Sequence, residues 1–174
     1  MPRKNILTLL EGGDRRTIGR SDEIAALVSK NPSLFPKLIA GLWSPDPLVR
    51  MRAADAAEKV TRDNPKLLRP YKKELLGLMA ETTEQEMRWH MAVMVPRLRL
   101  NAIERQLAIA SLNQYLEDRS SIVRTSALQG LADMAQDDST LRARVMEILR
   151  EATRNGTPAM KARSCKLLFL LERV

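Results

Sequence analysis

The sequence predicts an all-α protein built from repeated helical pairs, and three observations carry that expectation. Leu, Ala, Met, Arg, Lys and Glu dominate, all of them good helix formers, while glycine occurs only 7 times in 174 residues and aromatics make up 3%. Few stretches alternate apolar and polar residues as a half-buried strand requires. An apolar–basic pair also returns at a nearly constant interval, as Val49-Arg50, Met87-Arg88, Val123-Arg124 and Met160-Lys161. A period of three to four dozen residues marks stacked helical hairpins, each too small to bury its apolar side alone.

The elements follow in chain order. "NILTLLE" (5–11) and "SDEIAALVSK" (21–30) form a short first pair, with Ser21 as N-cap of its second helix and Gly12-Gly13 as the turn between. Residues 1–34 are thus a degenerate N-terminal repeat, followed by repeats at 35–68, 69–102, 103–138 and 139–174. Their first helices are "FPKLIAGLW" (35–43), "YKKELLGLMAE" (71–81), "ERQLAIASLNQYLE" (104–117) and "LRARVMEILREA" (141–152). Ser44, Thr82, Asp118 and Asn155 stand six residues before the basic residue, short polar side chains suited to the turn between helices.

The second helices carry start signals. Asp46-Pro47 and Thr157-Pro158 read as an N-cap followed by proline at the first helical position, and Ser120 takes the cap position in its repeat. Thr83 and Glu86 read as a capping box. Counted from the basic residue, positions −1, 3, 4, 7 and 10 share one face of a 3.6-residue helix. They hold Val49, Ala53, Ala54, Ala57 and Val60 in the first of these repeats, and Val123, Ala127, Leu128, Leu131 and Met134 in the third. The fourth has Met160, Ser164, Cys165, Leu168 and Leu171, which makes Cys165 a core residue. Pro96 falls inside the second repeat's second helix and should kink it.

"LIAGLWSPDPLVRMRAADAAEKV" and "LNQYLEDRSSIVRTSALQGLADM" resemble HEAT repeats, with leucines on the first helix, a short Asp/Pro-containing turn, a Val-Arg pair and an alanine- and leucine-rich second helix. The resemblance covers about 35–174. It implies a right-handed α-α superhelix of about four hairpins plus the degenerate one, in a single repeat domain whose second helices line a concave binding surface. In that family the turn aspartate and the arginine can bridge adjacent repeats; here Asp118 and Arg124 are the pair that keeps both residues.

No catalytic constellation emerges. The only histidine is His90 and the only cysteine Cys165, too few for a His/Cys metal site or for a nucleophile with a histidine base. Gly12-Gly13 is followed by no P-loop lysine, so no phosphate loop and no cofactor are expected. His90 reads as a surface residue, Trp43 and Trp89 as packing residues, and the 9 methionines as core fillers. A single cysteine excludes an intramolecular disulfide, and no run of about 20 apolar residues exists to span a membrane. "ILTLL", closed by Glu11, is too short for a signal peptide. The expectation is a cytoplasmic protein without membrane insertion.

Positions 2, 5, 9 and 12 of the second helices point away from the core stripe. They carry Arg52, Lys59, Arg62, His90, Arg97, Arg163, Lys166 and Arg173, the candidate partner-binding residues. A net charge of +8 suits a nucleic acid as well as an acidic protein. However, Asp133, Asp137 and Asp138 interrupt the basic track, and few aromatics are available to stack bases. The preferred reading is a non-catalytic protein-interaction or scaffold module. The alternative is a DNA-binding HEAT-like protein related to the alkylpurine DNA glycosylases, whose catalytic acid and aromatic cleft map onto no positions here. A bilin-lyase-like HEAT protein is a third class, with no residue in its favour.

Overall fold

A computed structural model describes residues 5–173; residues 1–4 and 174, which the first and last repeats include, lie outside them. Every regular element among the described residues is helical. None is long and apolar enough to cross a membrane. The chain folds as two compact units that divide between Pro70 and Tyr71.

The first unit holds a 3-10 helix at Ile6–Leu10, then α1 (Ser21–Lys30), α2 (Phe35–Ala40) and α3 (Pro47–Asp63). Both α1 and α2 pack on α3. The core is Leu10, Ile24, Val28, Phe35, Leu38 and Ile39 against the alanine stripe of α3, Ala53, Ala54, Ala56 and Ala57. Small residues there let the helices approach closely. At Gly41 an added Cβ would stand 2.7 Å from that of Ala53. Asp46 caps α3 as expected, accepting from the Leu48 N–H at 2.8 Å. Ser21 does not cap α1: it lies inside the helix, buried, and its hydroxyl donates to Asp55 of α3.

The second unit contains α4 (Lys72–Glu81), α5 (Gln85–Met94), α6 (Ala102–Tyr115), α7 (Ser121–Ala135), α8 (Ser139–Asn155) and α9 (Pro158–Leu171). First helices α4, α6 and α8 each pack on the second helix that follows them, and the second helices pack in series, α5 on α7 and α7 on α9. Positions −1, 3 and 10 are buried in every repeat, from Val49 to Leu171. Position 4 is buried except at Cys165, which is exposed on α9. The helical period placed Cys165 correctly on its stripe, but that edge of α9 faces solvent.

One further start signal differs from expectation. No capping box forms at Thr83 and Glu86, because α5 begins at Gln85 with Glu84 at the cap position, and Thr82 Oγ1 accepts from the Glu84 N–H instead. A full capping box forms at Asn101 and Glu104, at the head of α6. There Lys72 Nζ reaches Glu104 at 2.8 Å and ties α4 to α6. Pro96 ends α5 rather than kinking it: the helix stops at Met94 and a 3-10 turn, Val95–Arg97, follows. Val95 keeps α geometry, but proline lacks the N–H that would continue the ladder and its ring crowds the carbonyl four residues back.

The repeated basic residue has a repeated job. Arg50 Nη1 donates to the Ser44 carbonyl at 2.7 Å and Arg88 Nε to the Thr82 carbonyl at 2.9 Å, in both cases six residues back across the interhelical turn. Arg88 also pairs with Asp118 of the next repeat at 2.6 Å and lies over the Tyr115 ring. Burial would raise the Asp118 pKa, but the Ser120 N–H and Arg88 outweigh it and hold the carboxyl below its usual range. The unfolded state then binds this proton more readily than the native state, so the stabilisation is present above the unfolded pKa of about 4 and is lost as pH falls through the native value. Asp118→Asn should cost about 2 kcal/mol at neutral pH. The urea midpoint of the variant should fall less than that of the parent between pH 6 and pH 3. Parallel declines would show that Asp118 contributes nothing to the acid response.

Candidate binding face on the second helices

In the second unit, one polar chain runs across the second helices. Gln129 of α7 stands at its centre. Its amide oxygen accepts from Arg163 Nη1 of α9 at 2.7 Å, and its amide nitrogen donates to Asp133 Oδ1 one turn on at 2.8 Å. Both residues keep one face of α7 because they are four apart. Asp133 is half-buried, and burial raises its pKa; Gln129, Arg97 and Arg163 counter that only in part. The face therefore alternates cation, amide, carboxyl and cation. Arg97 and Arg163 bring positive charge to either side of the Asp133 carboxyl. Val93 and Leu100, at the outward positions 5 and 12 of the second repeat, are half-buried.

The expected binding residues divide sharply. Arg163, Lys166 and Arg173 of α9 and its C-terminal end are exposed and Arg97 is half-buried. Arg173 stacks on the Phe169 ring at 3.7 Å. His90, read as a surface residue, is 6% exposed. Its Nε2 accepts from the Trp89 indole at 3.2 Å, which places the ring proton on Nδ1, 2.6 Å from the Glu86 carbonyl. Trp43, read as a packing residue, is 47% exposed.

Arg52 is the largest correction. Expected on the partner-facing surface, it is 2% exposed. Residues 10–20 fold over it, and its guanidinium donates to the carbonyls of Leu10 (2.7 Å), Gly12 (2.5 Å), Asp14 (3.0 Å) and Thr17 (3.4 Å). Glycines shape this cradle. Gly12, Gly13 and Gly19 have φ of +75°, +78° and +55°, a region that other residues seldom adopt. A Cβ at Gly19 would also come 2.8 Å from Arg52 Nε. The segment read as a plain interhelical turn is thus a cap over an arginine.

Lys59 and Arg62, also on α3, are neutralised. Lys59 lies 2.5 Å from Asp22 and 2.6 Å from Asp55; burial would lower its pKa, but the two carboxylates raise it. Arg62 pairs with Glu58 at 2.6 Å. Of the expected basic residues, then, those of the second unit other than His90 are exposed or half-buried, whereas in the first unit Arg52 is buried, Lys59 is half-buried and ion-paired, and Arg62 is exposed but ion-paired. Sequence reading registered Asp133 only as an interruption of charge. The signal for its role was its placement four residues after Gln129 between two arginine-bearing helices, which needs the register between helices to be known.

No family model matches the chain, nor does any curated protein or solved structure.

Proposed function

We propose that this protein is a non-catalytic, HEAT-like interaction module that binds a protein partner on the face formed by α5, α7 and α9. The observation that carries the reading is the Arg163–Gln129–Asp133 chain with Arg97 beside it, an ordered mixture of donors and an acceptor on an otherwise accessible face. Such a mixture favours a partner that is itself mixed in charge, with electrostatics setting orientation and on-rate. A phosphate backbone prefers uninterrupted cations, and here a carboxyl sits among them. The HEAT-like superhelix is supported by the serial packing of second helices, by the shared Arg50 and Arg88 contacts to turn carbonyls and by the Arg88–Asp118 bridge between successive hairpins.

A photo-crosslinking amino acid at Gln136, the exposed residue that follows the C-terminal end of α7, tests the reading in a lysate of the source cells. A discrete protein adduct is expected, absent when the same group replaces Gln106 on α6. Arg97→Glu with Arg163→Glu should reduce it about tenfold, equivalent to about 1.4 kcal/mol. Adducts that disappear on nuclease treatment, together with duplex DNA binding that weakens steeply with salt, would replace this reading with DNA binding.

A further inference from the structure

We infer that the outward edge of α9 is a second docking surface, built to seat an acidic helix of a partner protein. This inference is independent of the proposal above, whose determinants are Arg97, Gln129, Asp133 and Arg163.

The internal junctions show how one helical pair seats the next. On α7, position 4 is Leu128, 1% exposed, which lies beside Ile148 and Ala152 of α8 and Met160 of α9. Position 5 is Gln129, which bonds to Arg163 of the same following pair. Position 8 is Ala132, also buried. These three positions of α7 therefore belong to the edge that receives the next pair. On α9 the same positions are Cys165, Lys166 and Phe169, and all three face solvent. With Leu170 they line a shallow groove of about 490 Å³. Phe169 is 52% and Leu170 58% exposed, an apolar content at a charged rim that marks an interaction site.

Charge selects the occupant. Lys166 lines the groove, Arg173 stacks on its Phe169, Lys161 stands one helical turn before Cys165, and Glu172 is the acid of this stretch. Lys161, Lys166 and Glu172 are exposed as well. A second copy applied through the same edge would set lysines against lysines, between two chains that each carry +8. At the α7 junction, position 5 accepts from the incoming Arg163; at α9, position 5 is a lysine, so the group opposing it must be an acceptor. The fitting partner is a helix with apolar residues for Phe169 and Leu170 and a carboxylate for Lys166.

Cys165 is the only thiol in the chain and lies within this groove, so its alkylation rate reports occupancy. The full chain is treated with iodoacetamide alone, with an 18-residue helical peptide bearing a leucine stripe flanked by glutamates, or with a matched lysine-flanked peptide. The glutamate peptide should slow alkylation about fivefold at saturation and the lysine peptide should not, since like charges suppress the wrong partner. Lys166→Glu should abolish the protection, with unchanged circular dichroism because Lys166 is exposed. Equal protection by both peptides, or by neither, would overturn the inference. So would protection that grows with chain concentration alone and accompanies a doubled mass in sedimentation, which would place a second copy there. Protection by duplex DNA without protection by the glutamate peptide would overturn it too.

Discussion

Replacing Arg52 with methionine is expected to destabilise the first unit by about 3 kcal/mol and to release the segment that covers it. Each hydrogen bond to a charged group contributes about 1.5–3 kcal/mol, and removing one member of a buried polar set leaves the others without a partner. Four carbonyls, those of Leu10, Gly12, Asp14 and Thr17, converge on this one guanidinium. Some of them regain water when the segment lifts, which keeps the loss below the sum of four bonds. Arg52→Lys should recover only part of it, because an ammonium has three donors and no planar fork. The release has its own readout. Arg15, Arg16 and Arg20 lie in the covering segment, and limited trypsin digestion should cut there much faster in the methionine variant, under conditions where the rest of the chain is intact. A variant with unchanged urea midpoint and unchanged cleavage would mean that the cradle contributes no stability.

Gly130→Ala is expected to cost the second unit about 2–3 kcal/mol, the scale of overpacking a close-packed core. Helix propensity points the other way, since alanine is favoured over glycine by up to about 1 kcal/mol inside a helix. Packing decides the sign. A Cβ at Gly130 of α7 would fall 2.2 Å from the Ala92 carbonyl oxygen of α5 and 2.9 Å from Leu112 Cδ2 of α6. Backbone cannot yield as a side-chain tip can, so α5 and α7 must separate. Gly77→Ala in α4 makes the same chemical change where a Cβ meets nothing within 4 Å. That variant should be stabilised by up to about 1 kcal/mol. Thermal unfolding of the pair separates the two effects. A Gly130→Ala protein as stable as the parent would show that the second helices do not cross as closely as described.

Most of the helices were legible in the residues. Apolar spacing located the second helices, and Asp46, Ser120 and Thr157 announced their starts through side chains that accept from the first-turn N–H groups. These signals are local, arising within one turn or two of helix. The shifted features depend on competition between neighbours. Thr82 Oγ1 accepts from the Glu84 N–H, and α5 starts at Gln85, one residue later than a cap at Thr83 would start it. Asn101 and Glu104 formed the reciprocal cap instead, reinforced by Lys72 from another helix.

The candidate face was legible only in part. Residues pointing away from an apolar stripe are not thereby exposed. Arg52 and His90 occupy the same position of the repeat as Arg163, yet the first two are buried and the third is open. Periodicity gives direction from the helix axis and nothing about what lies in that direction.

By itself, then, the sequence determined that the chain is all-helical, where its hairpins turn and which stripe of each second helix is apolar, because backbone hydrogen bonding and side-chain period act over a few residues. Tertiary structure alone decided that Arg52 belongs to a carbonyl cradle, that Lys59 reaches Asp22 of another helix, that Asp133 is held between arginines and that Cys165 faces solvent. Those outcomes turn on contacts between residues about 30 to 40 positions apart, and on how closely the helices approach, which the apolar period of a single helix does not encode.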